Sequence, residues 1–297
     1  MKRFSARLGQ ILCCIMLLSA AILPARADTG PKPSVTVTLE GLGGRVCYAT
    51  LLSEQESTGP SWAAKPGQPL EFPLDTSEEE RLAWKQFRAY SEDEALSDFY
   101  FLQEAWDASS GSFKWGYYPP YTFQIALWFP AEQVLVVSNT CQRYAFDSYY
   151  TLDLSSLSFM PRGMIRGVEA VQSYDHSGEL SGLCFRILIT VALELLAAWC
   201  FRIRSHGAVL SVLAVNLLTQ TALNAGLNLY AYQNGPGYLF LPYLMMEAGV
   251  LAAEFLCYCI LPVTGRDKKR AFRYALAANL LSLAAGWWLA HVLPGVF

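Results

Sequence analysis

Residues 183–202 read LCFRILITVALELLAAWCFR, and the architecture of the whole chain is decided by how this stretch is interpreted. As a helix it is long enough to cross ~30 Å of hydrocarbon, and a helix satisfies its own backbone polar groups there. Three more apolar segments follow, at about 208–229, 239–262 and 271–293. The connections set the direction. The first carries Arg202 and Arg204, and the third carries Arg266, Lys268, Lys269, Arg270 and Arg273. The middle one, residues 230–238, has no charge and holds the helix breaker Gly235-Pro236-Gly237. Cationic loops stay in the cytoplasm. Four spans therefore run inward, outward, inward and outward, which leaves the C-terminus extracytoplasmic. Tyr230, Tyr232, Tyr238, Trp287 and Trp288 gather near the outer ends, as an interfacial aromatic belt does.

The opposite end of the chain gives an independent placement. Lys2, Arg3 and Arg7 precede an apolar run at 11–23, and Ala25-Arg26-Ala27 is a small-x-small cleavage pattern. The run is short of the ~20 residues a span needs, so it reads as a signal peptide over 1–27. That places residues 28–180 outside, in agreement with the loop charges. The expected localisation is multi-pass in the plasma membrane.

Composition divides the same way. Hydrophobic residues make up 53% and charged residues 16%, and the net charge is −3. Residues 28–180 hold 21 Asp and Glu against 10 Lys and Arg, while the membrane half is basic. No basic face is available to neutralise phosphates, which argues against nucleic acid as a partner.

Residues 28–180 read mainly as strands. Residues 34–39 alternate with period two, Gly41-Leu-Gly-Gly44 makes a turn, and residues 46–52 read as the partner strand. Residues 121–129 and 133–138 read as a hairpin across Pro130-Ala131-Glu132, and 145–154 as a further strand. Residues 77–97, charged but carrying Leu82, Trp84, Phe87 and Tyr90 at mixed spacings, read as a helical insertion or an excursion between strands. The expected fold class is α+β overall: an extracytoplasmic antiparallel β-sandwich-like domain followed by a four-helix transmembrane bundle over 181–297. Tyr118-Pro119-Pro120-Tyr121 is a tight turn with room for a cis peptide. The many aromatics of this half serve either strand packing, which they favour, or a stacking surface for a ligand. Glu78-Glu79-Glu80 and Glu92-Asp93-Glu94 lack the spacing of a cation loop and read as solvated faces. Cys47 and Cys141, the only cysteines of the outer half, are a candidate disulfide in an oxidising compartment.

Chemistry concentrates in the membrane half. Glu194 lies in the first span. Asn216, Gln220, Asn224 and Asn228 recur every fourth residue in the second, drifting about 40° per step along one stripe. Glu247 and Glu254 lie in the third, seven apart on one face and roughly 10 Å apart along the axis. Asn279 and Ser282 lie in the fourth. The topology sets Glu254, Asn216 and Asn279 at one depth, Glu247 and Asn224 at another, and Glu194 and Gln220 between. A carboxylate at the bilayer centre costs at least ~2.5 kcal/mol. The acids are therefore expected to face the bundle interior, hydrogen-bonded to amides and partly protonated. No His lies near them, Glu-only zinc sites are unusual, and no nucleophile, zinc-protease or phosphate-loop motif occurs. No metal or cofactor is expected, and no catalytic motif assigns an enzyme activity.

The chain resembles a family of bacterial membrane proteins without an assigned activity, common in Gram-positive anaerobes of the gut. The segments that carry the resemblance are 46–53 (VCYATLLS), 99–103 (FYFLQ), 114–120 (KWGYYPP) and 143–149 (RYAFDSY), then 216–220 (NLLTQ) with Asn224, Glu247 and Glu254. The membrane half is also similar to a wider set of small membrane proteins in which an Asn-x-x-Thr segment precedes paired acids on the next span. The resemblance implies the same architecture and singles out those polar residues.

Two functions fit this reading. One is a cell-surface protein that binds an extracellular ligand or partner through its outer domain, anchored by a polar-cored bundle. The other is a small transporter or intramembrane enzyme acting through Glu194, Glu247 and Glu254. A third role, as an accessory to another membrane protein, places the acids at a contact between proteins.

Overall fold

The computed structural model describes residues 30–292 apart from residues 66, 75, 236–239, 262 and 266, with side chains as far as Gly286. The expected signal peptide, Pro236-Gly237, Arg266 and the side chains of Trp287, Trp288 and His291 lie outside the described residues. Residues from Lys32 onward form one compact unit.

The period-two alternation of residues 34–39 makes β1 (Ser34–Glu40), whose Val35, Val37 and Leu39 are buried. Its neighbours differ from expectation. The strand after the glycine turn, β2 (Tyr48–Ser53), does not pair with it. Gly41, Gly43 and Gly44 all have positive φ, and at Gly41 a Cβ would sit 2.5 Å from the Ser155 backbone nitrogen. This turn carries the chain across to a second sheet instead of back along the first.

The first sheet has the order β4 (Ser112–Trp115), β1, β7 (Asp147–Asp153), β9 (Ala170–Gln172). The second has the order β3 (Trp106–Asp107), β2, β5 (Thr122–Phe129), β6 (Val134–Gln142), β8 (Met164–Val168). Both sheets are mixed, which corrects the antiparallel expectation: β1 pairs with β7, and β6 with β8, in parallel. Parallel neighbours need long crossovers, and here the strands of one sheet serve as the crossover of the other. The β5–β6 hairpin forms as read, with Pro130, Ala131, Glu132 and Gln133 in its loop. It carries a bulge between Gln124 and Ala126, where the Ile125 N–H donates to Ser138 Oγ at 2.9 Å. No cis peptide bond occurs among the described residues.

One buried cluster draws on both sheets, with Val35, Val37, Phe113, Tyr150 and Leu152 from the first and Leu51, Ile125, Leu127, Val134 and Val136 from the second. The second sheet also buries its other face. There Leu52, Trp128, Leu135 and Val137 pack under α1 (Glu78–Glu92) through Trp84, Phe87 and Tyr90. The helix starts at Ser77, whose Oγ accepts the Glu80 N–H, and Glu78, Glu79 and Glu80 sit at its positive dipole end.

Four long helices follow: α2 (His176–Cys200), α3 (His206–Asn234), α4 (Phe240–Ile260) and α5 (Lys268–Val292). The first three are long and apolar enough to cross a membrane. Their contacts run α2 with α3 and α5, and α4 with α3 and α5, closing a bundle. Arg270 donates to the Phe201 carbonyl at 2.5 Å, tying the start of α5 to the end of α2.

Candidate intramembrane polar site

Apolar side chains cover the outer faces of these helices, with Leu188, Leu196, Leu218, Met245 and Ile260 all exposed. The polar residues turn the other way. Glu194, Asn216, Gln220, Asn224, Glu247, Glu254, Asn279 and Ser282 are all buried. The structure thus brings these eight residues into the bundle interior, while Asn228, the last of the amide stripe, is half-buried.

They form two groups whose members lie one helical turn apart on α2, α3 and α5. In the first, Glu254 is saturated: Thr219 Oγ1 donates to one carboxylate oxygen at 2.8 Å and Asn279 Nδ2 to the other at 2.6 Å. Asn216 donates to the Val212 carbonyl and to the Tyr258 hydroxyl, at 2.9 and 2.8 Å. Tyr258 and Tyr274 pack at 5.3 Å between ring centres, and the Tyr274 hydroxyl donates to the Glu194 backbone carbonyl at 3.3 Å. Glu194 itself is fully buried; neither of its carboxylate oxygens has a partner at full hydrogen-bond geometry, and the Asn216 side chain is the one polar group that approaches it as a donor. Glu254 is its strongest charged neighbour and Glu247 the next.

The second group surrounds a small cavity lined by Arg186, Thr190, Gln220, Asn224, Glu247 and Ser282. Arg186 donates to Asn228 Oδ1 at 2.8 Å, and Tyr243, one turn from Glu247, is that carboxylate's side-chain hydrogen-bond partner. Asn224 donates to the Gln220 carbonyl at 2.8 Å. Gln220 Nε2 and Ser282 Oγ have no partner.

Two of the expected acid–amide levels meet in the structure, Glu254 with Asn279 and Glu247 in one cavity with Asn224; the third does not, since Gln220, expected beside Glu194, lines the Glu247 cavity, and Glu194 sits with Glu254 and Asn216. Four participants were not singled out there. Tyr258 lies four residues after Glu254 and Tyr243 four before Glu247, so each shares its acid's helix face. Arg186 is a charge inside an apolar segment, two turns before Glu194, and Tyr274 is the aromatic of the basic α5 start. Among the described residues no group of acids, cysteines and histidines has metal-binding geometry.

The expected Cys47–Cys141 bridge does not form, and both thiols are free and buried. Tyr48 pairs with Trp128 and Cys141 with Phe123, so the two cysteines flank β5 near its opposite ends. That is about six residues, roughly 20 Å, along the strand, whereas a disulfide needs Cα atoms within ~7 Å. Burial pushes the thiols up to about 12 for Cys47 and about 11 for Cys141, which keeps them protonated and unreactive.

Comparison with protein-family models, with curated proteins and with solved structures finds no match to this chain in any of the three.

Proposed function

We propose that the protein is a multi-pass plasma-membrane protein whose four-helix bundle binds and passes a proton or small cation. All four long helices span in this reading, with residues 28–180 and the C-terminus extracytoplasmic and the two sheets packed as a sandwich outside. Contact between the outer domain and the Tyr232 end of α3 supports this topology, since it puts both on one side of the membrane. The basic residues Arg202, Arg204, Lys268 and Lys269 cluster at the other end of the helices.

One observation carries the reading: Glu194 is fully buried with neither carboxylate oxygen partnered at full hydrogen-bond geometry. Polar groups retained only to fix helix register end up saturated, as Glu254 is. A buried group left without a partner costs about 1–3 kcal/mol, and an apolar side chain would fill the place more cheaply. A carboxylate kept there at that cost is explained by a ligand that arrives and leaves. The test is flux in proteoliposomes under imposed proton, sodium and potassium gradients, comparing wild type with Glu194→Gln. Ion flux that Glu194→Gln abolishes is the expected result. Vesicles equally tight with wild type, Glu194→Gln or no protein sink the reading.

A second reading rests on the outer domain. A cleft of about 910 Å³ lies beside α1, lined by Lys65, Arg88, Glu92, Asp98, Phe99 and Tyr100 among others. This is the size of small-molecule sites. It favours ligand binding by the outer domain, and the isolated ligand class follows from its mixed charge and aromatic rim: polar, with one flat apolar face.

A further inference from the structure

The cavity between the helices offers about 20 Å³ to a water-sized particle. A single water needs roughly 10–15 Å³ by this measure and two to four polar partners. Larger solutes are excluded by size. Gln220 and Ser282, 1% and 2% exposed, line the cavity and are the residues whose Nε2 and Oγ lack partners. An amide N–H donor and a hydroxyl, with the Glu247 carboxylate on the same wall, are the complement of one water molecule.

The chemistry of the wall discriminates further. Arg186 and the Glu247 carboxylate share it, so their charges offset one another and hydration decides what enters. A sodium ion would have to exchange its water shell for a lining rich in N–H groups. A proton relayed along the O–H bonds of a held water has no such shell to strip and replace.

The cavity lies one helical turn from the level of Glu194. Thr190, in its wall, is one turn before Glu194 on α2, and Gln220 is one turn from Asn216 on α3. The ionisable groups facing this interior are Arg186 and Glu194 from α2, Tyr243, Glu247, Glu254 and Tyr258 from α4, and Tyr274 from α5; α3 contributes amides and Thr219.

We infer that the cavity holds one exchangeable water and is the outer port through which a proton, and not a metal cation, reaches Glu194. This rests on the ion-site reading above and narrows it. In each transfer an O–H bond of the water breaks as one forms on the Glu194 carboxylate. The water regains its proton from the outer side. Glu194 then releases its proton on the inner side and is a carboxylate again, so one positive charge crosses per cycle and no other species is consumed.

The experiment uses the full chain in potassium-loaded vesicles with valinomycin and an enclosed pH dye, with sodium and potassium uptake followed in parallel. Ser282→Leu fills the cavity, and Gln220→Leu removes the donor at near-constant size. Each is expected to lower proton flux at least tenfold, with sodium and potassium uptake at the level of empty vesicles throughout. Both variants are first checked for wild-type elution and melting, and whichever folds decides the outcome. Metal-cation flux without proton flux overturns the inference and leaves the ion-site reading standing. Proton flux indifferent to a folded Ser282→Leu or Gln220→Leu overturns the port assignment. No flux of any ion ends both.

Discussion

The Phe146 backbone N–H, in the β6–β7 connection, donates to the Tyr232 carbonyl in the last turn of α3 at 2.8 Å. Around this bond Tyr144, Tyr149 and Tyr174 of the outer domain gather with Tyr232 and His176 through ring contacts of 4.9–6.5 Å. The outer domain is thereby joined to the helix that carries the amide stripe Asn216, Gln220 and Asn224.

Gly235 is the residue on which that junction closes. It ends α3 with φ 84° and ψ 156°, a conformation open essentially to glycine alone, and an added Cβ would lie 2.6 Å from the Phe146 ring. Gly235→Ala is expected to destabilise the junction by about 1–3 kcal/mol. Protease sensitivity near residue 146 should rise in detergent while helix content by circular dichroism stays the same. An unchanged cleavage pattern would show that the domains are not held together here.

The two central acids should respond in opposite ways. Glu254→Met leaves one Asn279 N–H unpaired and is expected to cost about 1–3 kcal/mol, while the Thr219 hydroxyl keeps the Val215 and Asn216 carbonyls as acceptors. Glu194→Met removes a carboxylate that has no partner at full hydrogen-bond geometry, so stability should stay level or rise. Thermal unfolding of the detergent-solubilised protein measures both. Equal losses would mean that Glu194 is saturated in solution.

Much of this site was legible in the sequence because it depends on local period and on lipid as a solvent. Amides at every fourth position can only share a face, and acids in an apolar helix can only turn inward. The hairpin over residues 122–142 and the helix over 78–92 were legible for the same local reason. The sheet order was not. Ser34 meets Asp147, 113 positions away, and nothing in residues 34–40 distinguishes a parallel partner that distant from an antiparallel one nearby. The Cys47–Cys141 bridge failed for that reason: the pairing argument lacked the register that puts the two at opposite ends of β5. Tyr258 was hidden because an aromatic in a membrane helix resembles any other apolar residue until Asn216 is placed beside it.

Phe87 anchors α1 to the second sheet, fully buried and 5.7 Å from Phe101 between ring centres. Phe87→Ala is expected to cost about 3–5 kcal/mol. Because α1 covers only one face of that sheet, the loss should appear in tryptophan fluorescence from Trp84 and Trp128 before the bundle loses helix content. Simultaneous loss of both signals would mean that the outer domain and bundle unfold as one cooperative unit.

The two thiols make the outer domain sensitive to alkali. Burial raises Cys47 from 9.0 to about 12 and Cys141 from 9.0 to about 11. A raised folded-state value means that the native state holds its protons after the unfolded chain has lost them. The associated stability is complete below pH ~9 and is lost as pH rises through the folded values. The loss is on the order of 4 kcal/mol by pH 10.5 and about 7 kcal/mol once pH has passed both folded values. Tyr150, also raised by burial to about 12, adds to the same trend. The outer domain should therefore melt progressively lower from pH 8 to 10.5, and Cys47→Ala with Cys141→Ala should flatten that slope while lowering the starting value through the cavities left behind. Thiol reagents should label neither residue until the domain unfolds, and mobility should be the same with and without reductant. Rapid labelling of the native domain at pH 8 would contradict the burial on which both expectations depend.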